Sequence, residues 1–311
     1  MFSMRSWRLL FGKLALAAVL AVPAVSSATT VRLQTTKGNI DIQLFDAAAP
    51  LTVANFLNYV NSGAYVNSFI HRGVKGFIIQ GGGFLFDPTV SAVKAVPANA
   101  PVKNEFSVSR SNLRGTIAMA KLSGNPDSAT NQWFFNLADN SSNLDNQNGG
   151  FTVFGQVTAD GMKVVDAIAA LPLLDASNAS NAGGPTISGN FGYLPLNSIP
   201  SGATPPANPR NNPNQAIPVI PQSGLITVGA AFVLDPRAEC LFNWAEGQYA
   251  YLFSPAGFAT TVWTEYHYRY YSATNAYLGV SSKDGNVYYM GADGLMHNEG
   301  PLSSWLSQSG C

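Results

Sequence analysis

Short apolar runs, each bounded by glycine or polar turn residues, recur between Val31 and Val157 and again from Leu225 to Leu234. That pattern limits the chain to a mainly β architecture. Residues 31–45, VRLQTTKGNIDIQLF, alternate between apolar and polar on both sides of Lys37-Gly38-Asn39 and read as a β-hairpin. Phe69–Gln80, Gly115–Ala120, Phe134–Leu137 and Thr152–Val157 read as further strands. Helical spacing is found near Pro50, where Val53, Phe56, Leu57 and Val60 share a face before Asn61-Ser62-Gly63, and over Gly161–Ala170.

A chain of 311 residues exceeds one ordinary small domain, and two are expected. Residues 172–223 are rich in Asn, Ser, Gly and Pro and are unable to form a core alone. They read as an insertion within the first domain, because the apolar run Leu225–Leu234 supplies the strand that a barrel needs at its open edge. The first domain is accordingly placed at 29–235, with the boundary near Asp235-Pro236. Nine of the twelve Tyr follow Cys240, the run YHYRYYS alternates as a strand, and Asp284-Gly285 suits a hairpin turn. Residues 236–311 read as a small aromatic-rich β domain. Its Tyr and Trp residues allow binding of glycans, cell-wall material or a client protein, but a compact module with buried aromatics is the preferred reading.

The N-terminus carries Arg5, Arg8 and Lys13, then the apolar run Leu14–Val22, then small residues ending at Ala28. This is the layout of a signal peptide, 1–28, and the run is too short to span a bilayer. An exported, periplasmic or cell-envelope protein is expected, with no stable membrane insertion after cleavage. In that compartment Cys240 and Cys311, the two cysteines of the chain, are expected to pair. Seventeen basic residues balance seventeen acidic ones, which does not favour nucleic acid as a partner. No motif calls for a metal or organic cofactor.

Residues 68–84, SFIHRGVKGFIIQGGGF, are followed in order by RGTIAMA at 114–120, NQWFFN at 131–136 and LDNQNGGFTVFGQV at 144–157. Together these resemble the cyclophilins, a family of peptidyl-prolyl cis-trans isomerases, and four ordered motifs are far more specific than one. The resemblance implies a closed eight-stranded antiparallel barrel capped by two helices, with a binding groove on its outside. It assigns catalysis to Arg72, with Gln80 orienting the arginine and His71 beside it. It assigns the proline pocket to Phe77, Ile78, Phe134, Leu144 and Phe151, and neighbouring substrate positions to Ala120 and Gln132. The implied partners are proline-containing polypeptides.

Taken singly, the aromatics would be read as core, Arg72 as a surface ion pair and His71 as a structural histidine. Their joint spacing is what favours a site. Asp139 and Asp145 lie among Asn, Ser and Gly and read as turn formers. Several positions depart from the family pattern. Asn143 stands where many eukaryotic members have Trp, so weak cyclosporin binding is expected. Ile78 replaces a frequent Met, Lys121 a common Asn, and the loop LSGNPDSAT is longer than in the shortest members. The competing function is a non-catalytic Xaa-Pro binding module or holdase. Loss of turnover with retained binding on replacing Arg72 would separate the two.

Overall fold

The first hairpin forms as its alternation dictates: β1 (Thr30–Thr35) pairs with β2 (Gly38–Leu44), burying Val31, Leu33, Ile40, Ile42 and Leu44 on one face. The computed structural model describes residues 28–87, 89, 92–175, 191–198, 222–254, 258–263 and 266–311. The expected signal peptide therefore lies outside the described residues except for Ala28, as do 176–190 and 199–221 of the expected insertion. After the hairpin come α1 (Pro50–Asn61), β3 (Arg72–Val74), β4 (Ile78–Gly81), β5 (Phe84–Asp87), β6 (Ala92–Ala95), β7 (Thr116–Met119) and β8 (Trp133–Asn136). Then follow α2 (Ser141–Leu144), β9 (Val153–Val157), α3 (Ala159–Ala169), β10 (Leu173–Leu174), β11 (Leu194–Pro195) and β12 (Val228–Leu234).

Eight of these strands form one antiparallel sheet in the order β12-β1-β2-β9-β7-β8-β4-β3. The expected closed barrel needs correction, because the ladder ends at β12 on one side and β3 on the other. The segments preceding these edge strands meet through a single bridge, Phe69 to Thr227, with Ile70 N–H donating to Ile226 O and Val228 N–H to Ser68 O. The sheet is therefore curled, with a short seam in place of a closing ladder. Its inner face carries Leu33, Ile40, Ile79, Ile117, Phe135 and Phe154, and α1 and α3 add Phe56, Tyr59, Val165 and Ile168 to the same core.

The stretch read as one strand, Phe69–Gln80, is broken into β3 and β4 by a turn at Lys75-Gly76. Gly76 has a φ of +69°, a conformation that favours glycine. Within the expected insertion, Leu174, Phe191, Leu194 and Leu196 pack with Phe69, Phe86 and Leu225 in a satellite core.

The C-terminal region begins with α4 (Pro236–Gln248) and continues through β13 (Phe258–Trp263), β14 (Tyr266–Tyr271), β15 (Ala276–Ser281), β16 (Asn286–Met290) and β17 (Met296–Pro301) to α5 (Leu302–Ser309). The five strands pair antiparallel in sequence order. Leu241, Phe242 and Ala245 of α4 and Leu302 of α5 pack with Tyr271, Leu278 and Val287. Among these, Arg269 is buried with Glu239 and Glu246 at 2.7 and 2.6 Å. The two helices were not anticipated, although Asp235 accepts from Arg237 N–H as an N-cap and Pro236 stands at the first turn. Cys240 and Cys311 are joined across 71 residues. Tyr271 is buried, whereas Tyr266, Tyr268, Tyr277 and Tyr288 are half-buried around a depression of about 260 Å³. No helix among the described residues is long and apolar enough to cross a membrane.

Candidate active site

Strand register places Arg72, Gln80 and Phe134, expected site residues, on the face of the sheet opposite the main core. Arg72 is the Cα partner of Gln80, Gln80 of Phe134, and Phe134 of Ala118. A bulge between Ile117 and Ala118 then brings Val153 opposite Ala118. Because side chains alternate along a strand, this row lies on one face while Ile79, Phe135 and Ile117 lie on the other. The row carries a guanidinium and an amide at one end and apolar groups at the other.

At the polar end, Arg72 Nη1 donates to Gln80 Oε1 at 3.3 Å, and Gln80 Nε2 donates to Gln132 Oε1 at 2.8 Å. The Gln80 amide is thus fixed at both ends, and all three side chains are half-buried. The glycines after Gln80 make this approach possible. A Cβ on Gly82, whose φ is +80°, would lie 2.5 Å from Asn131 O, and one on Gly83 would lie 2.7 Å from Gln132 Cδ.

At the apolar end, Ile78, Ala118, Phe134, Leu144 and Val153 form a buried cluster, with Phe77, Ala120 and Phe151 partly exposed against it. The Phe134 and Phe151 rings meet edge to face at 5.8 Å. Six of the seven expected substrate-binding positions therefore fall in one cluster, and the seventh, Gln132, is bonded to Gln80. Ala120 N–H donates to Gln132 O at 2.9 Å, linking the two ends.

His71 is placed differently from its expected position lining the groove. It is 2% exposed, its ring lies edge-on to Phe84 at 5.0 Å and to Phe191 at 6.3 Å, and Nδ1 has no hydrogen-bond partner. Burial lowers its pKa to about 3, helped by the neighbouring Arg72 charge, against opposing hydrogen bonds to the Phe69 backbone and the Gln132 side chain. The imidazole is neutral at physiological pH. Phe84 and Phe191 were not singled out from sequence, and Phe191 comes from the expected insertion, where no motif marks it.

Asn143 is exposed on α2, and its Oδ1 accepts from Gln147 Nε2 at 2.6 Å. Asp139 behaves as a turn former, accepting from Ser141 N–H at 3.0 Å. Asp145 does more: its Oδ1 accepts from the backbone and side-chain nitrogens of Asn112 at 3.0 and 2.8 Å, tying the end of α2 to the segment that leads into β7. Among the described residues, no group of three or more His, Cys, Asp or Glu is arranged to hold a metal.

The family model described as "Cyclophilin type peptidyl-prolyl cis-trans isomerase/CLD" matches residues 30–184. Peptidyl-prolyl cis-trans isomerase A of Dickeya dadantii is 47% identical over 147 residues, which cover 47% of this chain and 73% of the relative. The chain belongs to the cyclophilin-type peptidyl-prolyl cis-trans isomerases. Another relative of this cyclophilin, peptidyl-prolyl cis-trans isomerase B of Escherichia coli, is 44% identical over 142 residues, covering 44% of this chain and 82% of its own. A solved cyclophilin-type isomerase from Cryptosporidium parvum, crystallised in the presence of the dipeptide Ala-Pro, is 21% identical with a TM-score of 0.41. It covers 66% of this chain and 99% of its own. The family-model match ends before β12 and the C-terminal sheet.

Proposed function

We propose that this isomerase acts on Xaa-Pro bonds of exported proteins and does so by stabilising the twisted imide with Arg72. The observation that carries the reading is the fixed chain of Arg72, Gln80 and Gln132 running along the edge of the apolar cluster around Phe134. Resonance gives the imide bond its double-bond character and makes uncatalysed rotation slow, on the order of tens of seconds. No covalent bond need break. On twisting, the nitrogen becomes pyramidal and recovers a lone pair, to which a guanidinium donates more strongly than to the planar ground state. Phe77, Ile78, Phe134, Leu144 and Phe151 hold the proline ring, while Ala120 and Gln132 contact neighbouring substrate positions.

Proton transfer has no place in this mechanism, which agrees with a neutral, buried His71. His71 then supports the strand that carries Arg72. Each tenfold acceleration requires about 1.4 kcal/mol of preferential transition-state stabilisation. The basic and apolar N-terminus supports export to the periplasm or cell envelope, and Asn143 supports weak cyclosporin binding.

The test is a cis-to-trans assay on a Xaa-Pro peptide with the mature protein and Arg72→Ala, both shown to be folded by circular dichroism. Acceleration lost in the variant, with peptide affinity retained, supports the assignment. Equal loss of turnover and affinity would assign Arg72 to ground-state binding instead.

A further inference from the structure

Lys121 follows β7 at the rim of the apolar cluster, and its ammonium is drawn inward to a neighbouring loop. That loop, residues 148–150, delivers Phe151 to the cluster. Asn148, Gly149 and Gly150 have φ values of 50°, 73° and 73°. Glycine adopts this region freely and asparagine at little cost, so backbone preference alone does not hold the run in one shape. The carbonyls of Asn148 and Gly150 converge on Lys121 Nζ, at 2.8 and 2.6 Å, and the same ammonium sits 4.8 Å from the centre of the Phe151 ring. Asn148 Nδ2 donates back to Leu122 O at 2.9 Å, so the two loops are stitched in both directions. From the other side, Asn104 Nδ2 donates to Gly149 O and Gly150 O at 2.7 and 3.2 Å.

We propose that Lys121 is a positioning residue of this isomerase, whose ammonium locks the 148–150 loop and thereby holds the Phe151 ring as a wall of the proline pocket. The inference rests on the reading of Phe151 as part of that pocket. It explains why a long cation at a position commonly occupied by Asn is compatible with the groove: the charge is spent on loop carbonyls and a ring face.

The protonated state matters, because a neutral amine is a poorer donor to two carbonyls and has no attraction to the ring face. Burial lowers the Lys121 pKa, with Asp127 acting in the opposite direction. The other ionisable groups on the adjoining segments are engaged elsewhere. Glu105 accepts from Thr52 on α1, Arg110 donates to the carbonyls of Glu105 and Val153, and Asp145 accepts from Asn112. Deprotonation is therefore expected at a lower pH than for an ordinary lysine, near 10.4.

The experiment measures kcat and KM for a Xaa-Pro peptide by exchange NMR, which needs no coupling protease, from about pH 7 to about pH 10. Wild type, Lys121→Met, Lys121→Arg and Phe151→Ala are compared. The wild-type KM should rise towards alkaline pH while kcat changes little. Lys121→Met should show a KM raised roughly three- to tenfold at neutral pH, with no further alkaline rise. Lys121→Arg, which stays charged, should restore the low KM and remove the alkaline limb. A wild-type KM in Lys121→Met, or an alkaline rise that persists in it, would overturn the role of Lys121. If Phe151→Ala raises KM while Lys121→Met does not, the inference fails and the pocket reading stands. If Phe151→Ala leaves KM unchanged, the pocket reading beneath it fails. Should Lys121→Met not fold, the wild-type alkaline limb and its absence in Lys121→Arg remain decisive.

Discussion

Arg72 and Gln80 are Cα partners across β3 and β4, and their side chains meet on the outer face of the sheet, where Nη1 of the arginine donates to Oε1 of the glutamine at 3.3 Å. Since Gln80 is also bonded to Gln132, just before β8, the amide that receives the guanidinium is held from the far side of β4 as well. Replacing Gln80 by Leu keeps comparable volume but removes both bonds. Peptide assays should then show kcat/KM reduced roughly ten- to a hundredfold, most of it in kcat, the scale of losing one charge-assisted hydrogen bond and one neutral one. An unaltered kcat in a folded variant would mean that Arg72 needs no such support.

His71 connects the site to stability through pH. Burial holds its folded-state pKa at about 3, whereas an unfolded histidine titrates near 6.5. Between these values the unfolded chain binds more protons, so this group's contribution becomes increasingly destabilising as pH falls from about 6.5 towards 3. Urea unfolding at a series of pH values should show a steeper acid loss for wild type than for His71→Gln. Over about pH 5 to 8, kcat should carry no limb from His71, because the ring stays neutral there. A kcat limb near pH 6.5 that disappears in His71→Gln would contradict both the burial argument and the proton-free mechanism.

The strand pattern was legible because the residues alternate: Val31, Leu33, Ile40 and Ile42 leave no choice of face. The apolar cluster on the outer face was legible only through motif resemblance, since Phe134 in that cluster and Phe135 in the core are adjacent and chemically identical. Register decides between them, and register depends on partners far away in sequence. The same limit applies to the barrel. Leu225–Leu234 was correctly read as carrying a strand, but its meeting with residues near Phe69 through one bridge depends on how far the sheet curls. The family motif puts His71 in the groove beside Arg72, yet successive residues of a strand point to opposite faces. Alternation alone argues for the buried position. The α4 helix also has a signal in the sequence: Ala238, Leu241, Phe242 and Ala245 have helical spacing behind an Asp-Pro start, within a region whose tyrosine runs read as β.

Arg269 supplies a test of the C-terminal core. Its side chain is 5% exposed and bridges Glu239 and Glu246, while His267 Nε2 lies 2.9 Å from Glu239 Oε1. The pKa of Glu239 is lowered to about 2; burial opposes that shift, and the hydrogen bond to His267 with the Arg269 charge outweighs it. Removing the arginine would leave two partly buried carboxylates poorly compensated. Arg269→Met should destabilise this region by about 3–5 kcal/mol, measured by denaturant unfolding followed through its Trp fluorescence. Loss of less than about 1 kcal/mol would show that water reaches these carboxylates as readily as it reaches surface pairs.

The disulfide should set the order in which that region opens. Cys240 lies on α4 and Cys311 follows α5, so the bond holds the last helix against the first across 71 residues of chain. In the chain-entropy description, closing a loop of this length stabilises by about 4 kcal/mol, a large share of the stability of a small unit. Leu302 is buried in the C-terminal core and Trp305 packs against it, while the exposed strand β17 contributes little burial of its own. Without the bond, α5 and β17 should detach before α4 does. Hydrogen exchange on Cys240→Ser/Cys311→Ser should therefore show protection lost first in residues 296–309, with the β1 and β2 amides unchanged. Equal loss throughout both sheets would instead make the two regions one cooperative unit, in which the disulfide also stabilises the strands that carry Arg72 and Gln80.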